Sequence, residues 1–251
     1  MNRMNDLNCL LAEKLVEDIK KDYEACGIAV AIIDKSGKTQ YEKFWGVRDL
    51  ESGKEVNGDT IFGLASVTKS FTALSIMQLE EKGMIDLDAP ISQYIPEFTN
   101  KNQSKKVTVR HLLSHAGGFF PLPRILVGNV AESLGLDEEK DGDFAYNDAV
   151  AQEGVKLVAE RLDAQTKENG LNGQPGEYLS YCNDGFGLLS DIIRRYGGEP
   201  SYADYLVKHV LKPLGMERSF CDFVRPSKDE NAATLYKKVD GVMRGSRDYH
   251  D

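Results

Sequence analysis

The sequence predicts an α/β fold in which a mostly helical block follows a sheet-forming start. Three observations lead there. The run GIAVAIID at Gly27–Asp34 is rich in β-branched residues, and a KSGK turn joins it to a second extended stretch, TQYEKFWG, which is the pattern of an antiparallel hairpin. From Val67 onward the apolar positions recur at helical spacing instead. The chain has 251 residues, 41% hydrophobic and 28% charged, an ordinary globular composition with enough material for a sizeable core.

The elements follow in order. Leu7, Leu11, Leu15 and Ile19 recur every four residues, so about 6–24 is expected to be an amphipathic helix ahead of the hairpin. A second turn region, DLESGKEVNGD, leads toward residue 61. Phe71, Leu74, Ile76 and Met77 then suit a helix that ends at Gly83, a favourable residue just past a helix end. VTVRHLLSHAGG offers a short helix with Thr108 as N-cap and Gly117–Gly118 as its stop. Residues 119–145 read as irregular and acidic. Helices are expected again at about 147–164, 184–196 and 201–211, the last stopped by Pro213. Near the end, CDFV and ATLYKKV are candidates for short strands. No internal repeat or low-complexity linker divides the chain, so one domain over 1–251 is expected.

Composition also excludes partners. Acidic residues outnumber basic ones 40 to 31, a formal charge of −9, which argues against nucleic acid or an anionic membrane surface. The N-terminal stretch carries charges throughout and lacks the apolar core of a signal peptide, and no later stretch is apolar enough to span a bilayer. Cys9, Cys26, Cys182 and Cys221 form no C-x-x-C pair and no metal-ligand spacing, so free thiols in a reducing cytoplasm are expected. No phosphate-cradling loop is present, and neither a cofactor nor a metal is expected.

The chemistry concentrates in two motifs. FGLASVTKSFTAL places Ser66 and Lys69 one helical turn apart, close enough for the amine to reach the hydroxyl. Such a pair is either surface chemistry or a nucleophile with its own base, since a serine needs a neighbour to take its proton. A lysine does so only when neutral, and lowering an ordinary lysine from ~10.4 to ~7 costs roughly 4–5 kcal/mol, most of which burial has to supply. Ile61, Phe62, Leu64 and Ala65 before the pair, and Phe71 and Leu74 after it, are the apolar surroundings expected to do so. Roughly one S-x-x-K arises by chance in a chain of this length. The second motif is the only Y-x-N of the chain, Tyr181-Cys182-Asn183, between a Pro175-Gly176 turn and an amphipathic run. A tyrosine there can relay protons to a leaving group, and an asparagine two residues on can hold a substrate amide through its donor and acceptor. The competing reading of Tyr181 is a half-buried residue packing a helix entry.

Other candidates are set aside. His111 and His115 are spaced i, i+4, but the Glu of H-E-x-x-H and a third ligand are both absent. GLASV lacks the second glycine of a nucleophile elbow. Cys182 is read as a buried, inert thiol.

The two motifs, in this order, resemble the serine β-lactamases, penicillin-binding proteins and related esterases and D-amino-acid peptidases, most nearly the branch whose second motif is Y-x-N. The likeness extends over GIAVAIIDKSGKTQYEKFWGVRD, VTVRHLLSHAGG, PGEYLSYCNDGFGLLSDIIRR and YADYLVKHVLKPLGMERS, from about residue 25 to at least 220. It implies a β-lactamase/transpeptidase-like architecture, an antiparallel sheet flanked by helices with a mostly helical region. It divides the chain into a helix and hairpin over 1–60, a catalytic helical region over 61–220 and a partial C-terminal segment over 221–251. It implies acyl transfer to a small ester, D-amino-acid peptide or β-lactam. Ser66 is the acylated nucleophile and its backbone N–H one oxyanion donor; Lys69 is the general base; Tyr181 is the second acid or base; Asn183 positions the acyl side of the substrate. Within this resemblance HLLSHAGG is a structural helix-to-loop element.

One part of the pattern is missing. The family carries a third motif, K-T-G or H-x-G, on a strand beyond the helical block, and no K-x-G or H-x-G follows Asn183 here. The sheet is therefore expected to be incomplete, and a second polypeptide segment, covalent or not, is expected to supply that strand beside Ser66. A non-catalytic binding or sensor domain and a fragment of a longer polypeptide are the alternatives.

Overall fold

A computed structural model describes residues 6–101, 105–123, 125, 127–141, 148–165, 173–222 and 224–247. In chain order these form α1 (Asp6–Tyr23), β1 (Gly27–Ile33), β2 (Thr39–Gly46), α2 (Thr68–Glu81), α3 (Val109–Leu113), α4 (Val127–Ser133), α5 (Glu138–Asp141), α6 (Asp148–Asp163), α7 (Asn183–Tyr196), α8 (Tyr202–Leu206), α9 (Val224–Lys228), β3 (Leu235–Val239) and β4 (Val242–Ser246). The chain separates into two compact units, Ser66–Gly215, and Met1–Ala65 with Met216–Asp251.

The unit of Ser66–Gly215 is helical. Its core is built from α2 (Ile76, Leu79), the segment after it (Ile91, Ile95, Phe98), α3 (Val109, Leu112), α6 (Ala159, Leu162) and α7 (Leu188, Leu189, Ile192, Ile193). In α7 these positions repeat at 188, 189, 192 and 193, one continuous stripe, and all four are fully buried. Beside that stripe the buried Asp191 carboxylate pairs with Arg194 and Arg195, and Arg195 also reaches Glu97 at 3.0 Å. The expected boundaries at α2, α6 and α7 are met within two residues. Gly83 follows α2 with φ +68°, as a residue past a helix end commonly does. Thr108 caps α3 as expected, its hydroxyl accepting the His111 N–H while the Thr108 N–H donates to His111 Nδ1.

Two expectations are corrected here. The acidic stretch 119–145 is not wholly irregular. It contains α4 and α5, because Val130 and Ala131 bury against Val150 of α6, a tertiary contact that overrides weak local preference; residues 124, 126 and 142–145 of it lie outside the described residues. The helix expected over 201–211 keeps α geometry only through α8 and continues as a π-helical turn, Val207–Leu211.

In the other unit β1 and β2 form the expected antiparallel hairpin, registered from Gly27↔Gly46 to Ile33↔Thr39 with an irregularity at Ile32/Ile33. Gly46 has φ +70°, and a Cβ there would stand 2.1 Å from the Cys26 carbonyl oxygen, so only glycine closes this end of the hairpin. ATLYKKV contributes β3, which turns at Asp240–Gly241 into β4. Both turn residues have positive φ, the two-residue geometry that Asp-Gly favours. CDFV does not form a strand: Val224 opens α9, and Phe223 lies outside the described residues. The sheets are two separate two-stranded ribbons among the described residues. Of the expected stripe of α1, Leu11 and Leu15 are 57% and 60% exposed and Ile19 is half-buried, while Val16 is the buried residue among the described residues of the helix. Ile32 and Ile33 of β1 are likewise exposed.

Candidate active site

Ser66 stands where the chain enters α2. Ala65 before it has φ +43°, an uncommon conformation for a residue with a Cβ, and a single 3₁₀ turn over Ala65–Val67 follows. No side chain caps α2, so the amides of its first turn have no side-chain acceptor. The helix holds Lys69 one turn beyond Ser66, and Lys69 Nζ donates to Ser66 Oγ at 3.1 Å.

The third group comes from 115 positions away. Tyr181 OH lies 2.7 Å from Ser66 Oγ. Since the amine donates to the serine oxygen, the serine hydroxyl is free to donate to the phenol, which gives a directed chain from Lys69 to Ser66 to Tyr181. Lys69 Nζ also stands 5.0 Å from the centre of the Tyr181 ring and 5.5 Å from that of Phe186. Tyr181 is held below the ordinary tyrosine range, first by its hydrogen bond with Lys69 and then by that with Ser66.

The apolar enclosure expected around the pair is not what the structure provides. Ser66 is exposed, Tyr181 is 46% exposed, and Leu64 and Leu74 keep nearly half their surface in solvent. The Lys69 amine instead meets the Ser66 hydroxyl and the rings of Tyr181 and Phe186. Asn183, the fourth expected residue, is exposed at the first position of α7 and is not hydrogen-bonded to the other three. Cys182 between the two motif residues is buried, and burial pushes its thiol up to about 11, which keeps it protonated and unreactive at neutral pH.

The strand-like segment carrying Tyr181 is pinned to the loop after α3. The Ser180 N–H donates to the His115 carbonyl at 2.8 Å, Cys182 N–H donates to His115 Nδ1 at 3.2 Å, and Ser180 Oγ donates to the Phe119 carbonyl at 2.7 Å. Gly118, at φ +82°, lets Gly173 approach so closely that a Cβ would stand 2.3 Å from its carbonyl oxygen. The next residues are held through their main chain. Phe120 exchanges both backbone groups with the Gln165 amide, and the Leu122 N–H donates to Asp184.

His115 is the residue that sequence reasoning passed over. Its ring packs on Tyr181 with centroids 4.3 Å apart and on Phe186 at 4.9 Å, and its backbone adopts φ +53°. The signal was the His111/His115 pair, which reads as a helical spacing. His111 serves the α3 cap while His115, already past the helix end, faces the site.

Comparison with known proteins places this geometry in context. A family model described as Beta-lactamase matches residues 12–251. The chain is 32% identical over 213 residues to Esterase EstB of Burkholderia gladioli, covering 83% of this chain and 50% of that protein. It is 29% identical over 209 residues to Penicillin-binding protein 4* of Bacillus subtilis, covering 82% and 40%. Among solved structures, the octameric penicillin-binding protein homologue from Pyrococcus abyssi superposes with a TM-score of 0.74 at 29% identity, over 96% of this chain and 50% of that one. A class C β-lactamase in complex with cefoxitin shares the fold at a TM-score of 0.67. The chain thus spans half or less of the length of these curated relatives.

Proposed function

Since the chain belongs to the β-lactamase family of serine hydrolases and their relatives, we propose that it performs acyl transfer through an ester on Ser66. The observation that carries this reading is the meeting of three groups, Ser66 Oγ with Tyr181 OH at 2.7 Å and Lys69 Nζ at 3.1 Å. Neither neighbour is needed to align a helix, and together they give the serine proton somewhere to go.

In the proposed reaction Ser66 Oγ attacks the substrate carbonyl, and its proton passes to the Lys69–Tyr181 pair. The pair works as one acceptor. A neutral amine beside a phenol and an ammonium beside a phenolate carry the same net charge and differ only in the place of one proton. Lys69 is the base expected from the motif, and the Tyr181 hydroxyl, held below the ordinary tyrosine range by its hydrogen bonds with Lys69 and Ser66, is the second member of the pair. Ser66 sits in the 3₁₀ turn just ahead of α2, and its own N–H is the donor assigned to the oxyanion. Collapse of the tetrahedral intermediate breaks the bond to the leaving group, which takes the proton from the pair. Water then attacks the acyl ester, gives its proton to the same pair, and Ser66 recovers it as the acid departs. Asn183 lies exposed at the start of α7, where it can receive the amide or carbonyl of an acyl side chain. The name of Esterase EstB favours simple esters as the first substrates to try.

A second polypeptide segment is part of the proposal. Exposed Leu11, Leu15, Ile32 and Ile33, on a helix and on a two-stranded ribbon, are surfaces that a further strand would cover. A strand with a K-T-G or H-x-G sequence beside Ser66 would bring the second oxyanion donor. Without it the chain acylates slowly or serves as a binding domain.

The test is intact mass after incubation with a fluorophosphonate or a penicillin. One adduct per chain, mapped to Ser66 and lost in Ser66→Ala, is expected. Full labelling of the alanine variant would place the nucleophile elsewhere.

A further inference from the structure

We propose that His115 is the positioning residue that sets where the Tyr181 hydroxyl stands, an inference that rests on the Ser66 reading above. Three contacts from this one residue bracket the tyrosine. Its carbonyl accepts the N–H of Ser180, the residue before Tyr181, at 2.8 Å. Its Nδ1 accepts the N–H of Cys182, the residue after Tyr181, at 3.2 Å. Its ring lies against the Tyr181 ring, centroids 4.3 Å apart at 34°, with Phe186 packed at 4.9 Å as a second ring contact.

Each contact constrains something different. One hydrogen bond fixes the peptide that follows Tyr181 and the other the peptide that precedes Ser180, so the backbone is held on either side of Tyr181 and the direction of its Cα–Cβ bond is constrained. The ring contact fixes the torsion that swings the phenol. A tilt of roughly 10° carries a hydroxyl at the end of a phenol through about 1 Å, a displacement that costs about 10²-fold when the group is catalytic. The positive φ of His115 is what lets one residue present carbonyl and imidazole to the same segment, and such a conformation persists only where several contacts determine it.

The geometry also fixes the chemical form of the ring. Nδ1 accepts a backbone N–H, so the proton of the neutral imidazole sits on Nε2. Burial and the nearby Lys69 charge both keep the imidazole neutral. The groups that face the phenol are therefore Lys69 from α2, Ser66 at its start, the neutral His115 ring, and Phe186 of α7, which carries no charge. On its own segment, Asp184 accepts from Cys182 Sγ at 3.7 Å.

Three variants separate the contacts. His115→Asn keeps an acceptor near the Nδ1 position and tolerates positive φ, but loses the ring. His115→Phe keeps the ring and leaves the Cys182 N–H unpaired. His115→Ala loses both. The readouts are the titration of Tyr181, followed by ¹³Cζ-tyrosine NMR on the whole chain, and the rate of Ser66 labelling by a fluorophosphonate. Each single-contact variant is expected to slow labelling about 10-fold with one adduct per chain retained, and the alanine variant about 10²-fold. In each, Tyr181 is expected to titrate closer to the ordinary tyrosine range, because its hydroxyl drifts from Lys69 and Ser66. A merely structural role would lower the folded fraction and leave that titration in place. Variants that label at the wild-type rate with an unmoved Tyr181 titration would overturn the proposal while Ser66→Ala, unlabelled, leaves the Ser66 reading standing. Full labelling of Ser66→Ala would overturn both. Should the variants fail to fold, the ¹⁵N-histidine spectrum of the wild type decides: a His115 protonated on Nδ1 at pH 7 would overturn the proposal, and an Nε2–H tautomer is expected.

Discussion

Replacing Tyr181 by Phe removes one oxygen from the site and little else. The ring that remains still packs on His115 at 4.3 Å, and Lys69 Nζ still has an aromatic face 5.0 Å away. What disappears is the 2.7 Å contact with Ser66 Oγ and the hydroxyl's link to Lys69. Tyr181 is half exposed and lies outside the core, so thermal stability should stay within a few degrees of the wild type. Activity should not. Losing general acid–base help at a reacting serine costs about 10²–10⁴-fold, and with Lys69 still 3.1 Å from the serine the lower end, about 10²-fold, is expected. The assay is hydrolysis of a p-nitrophenyl acyl ester, read as both the first-turnover burst and the steady rate. Both should fall together if the hydroxyl serves acylation and deacylation alike. Lys69→Met should cost at least as much, and the double variant should fall far short of the product of the two losses, because both groups lie on one proton path. A Tyr181→Phe enzyme within threefold of the wild type, or a double variant whose loss equals the product, would refute the shared path.

Four further outcomes can be checked. Lys69→Arg should fail to restore labelling in a fluorophosphonate assay, since a guanidinium stays charged at any working pH. Asp49 is held well below the ordinary carboxylate range by Ser52 and then by Thr234 and Tyr236. Its depressed folded pKa means that its stabilisation is complete above about pH 4 and is lost as pH falls through the folded value. The Tm gap between wild type and Asp49→Asn should therefore narrow in acid. Cys182, with its thiol near 11 and its side chain buried, should resist a thiol-specific dye at pH 8 until denaturant is added, as peptide mapping would show. Gly118→Ala should destabilise the chain by about 2 kcal/mol or more in urea unfolding, through its φ of +82° and the clash with Gly173.

What the sequence reveals here follows the range of the forces involved. Ser66 and Lys69 are readable because three residues along a helix is a local distance, and the stripe of α7 because amphipathic periodicity survives any tertiary context. Tyr181 could be joined to Ser66 only through a family resemblance, since nothing local links positions 115 apart. His115 was hidden for a physical reason: its placement depends on one backbone torsion past a helix end, whereas a helical spacing of the two histidines predicts that they share one face. Helix α4 was hidden because its existence depends on Val150, which lies in α6. The apolar stripe of α1 was legible as a stripe, but a stripe does not name what covers it, and Leu11 and Leu15 stand open.

The loop from Phe119 to Leu122 is held by Ser180, Gln165 and Asp184, and each of these grips main-chain atoms. At Phe120 its course is thus set by a residue that bonds only the main chain and never sees which side chain the loop carries there. Phe120, half exposed, is free to change identity while the backbone beneath it keeps its path. Shape and surface are encoded in different places. A lineage built this way can vary the residue at position 120 at little risk to the frame, whereas Phe119 is buried in the core and is not free in the same way. An alteration at Gln165 or Asp184 would redraw the frame itself while leaving every letter of the loop in place.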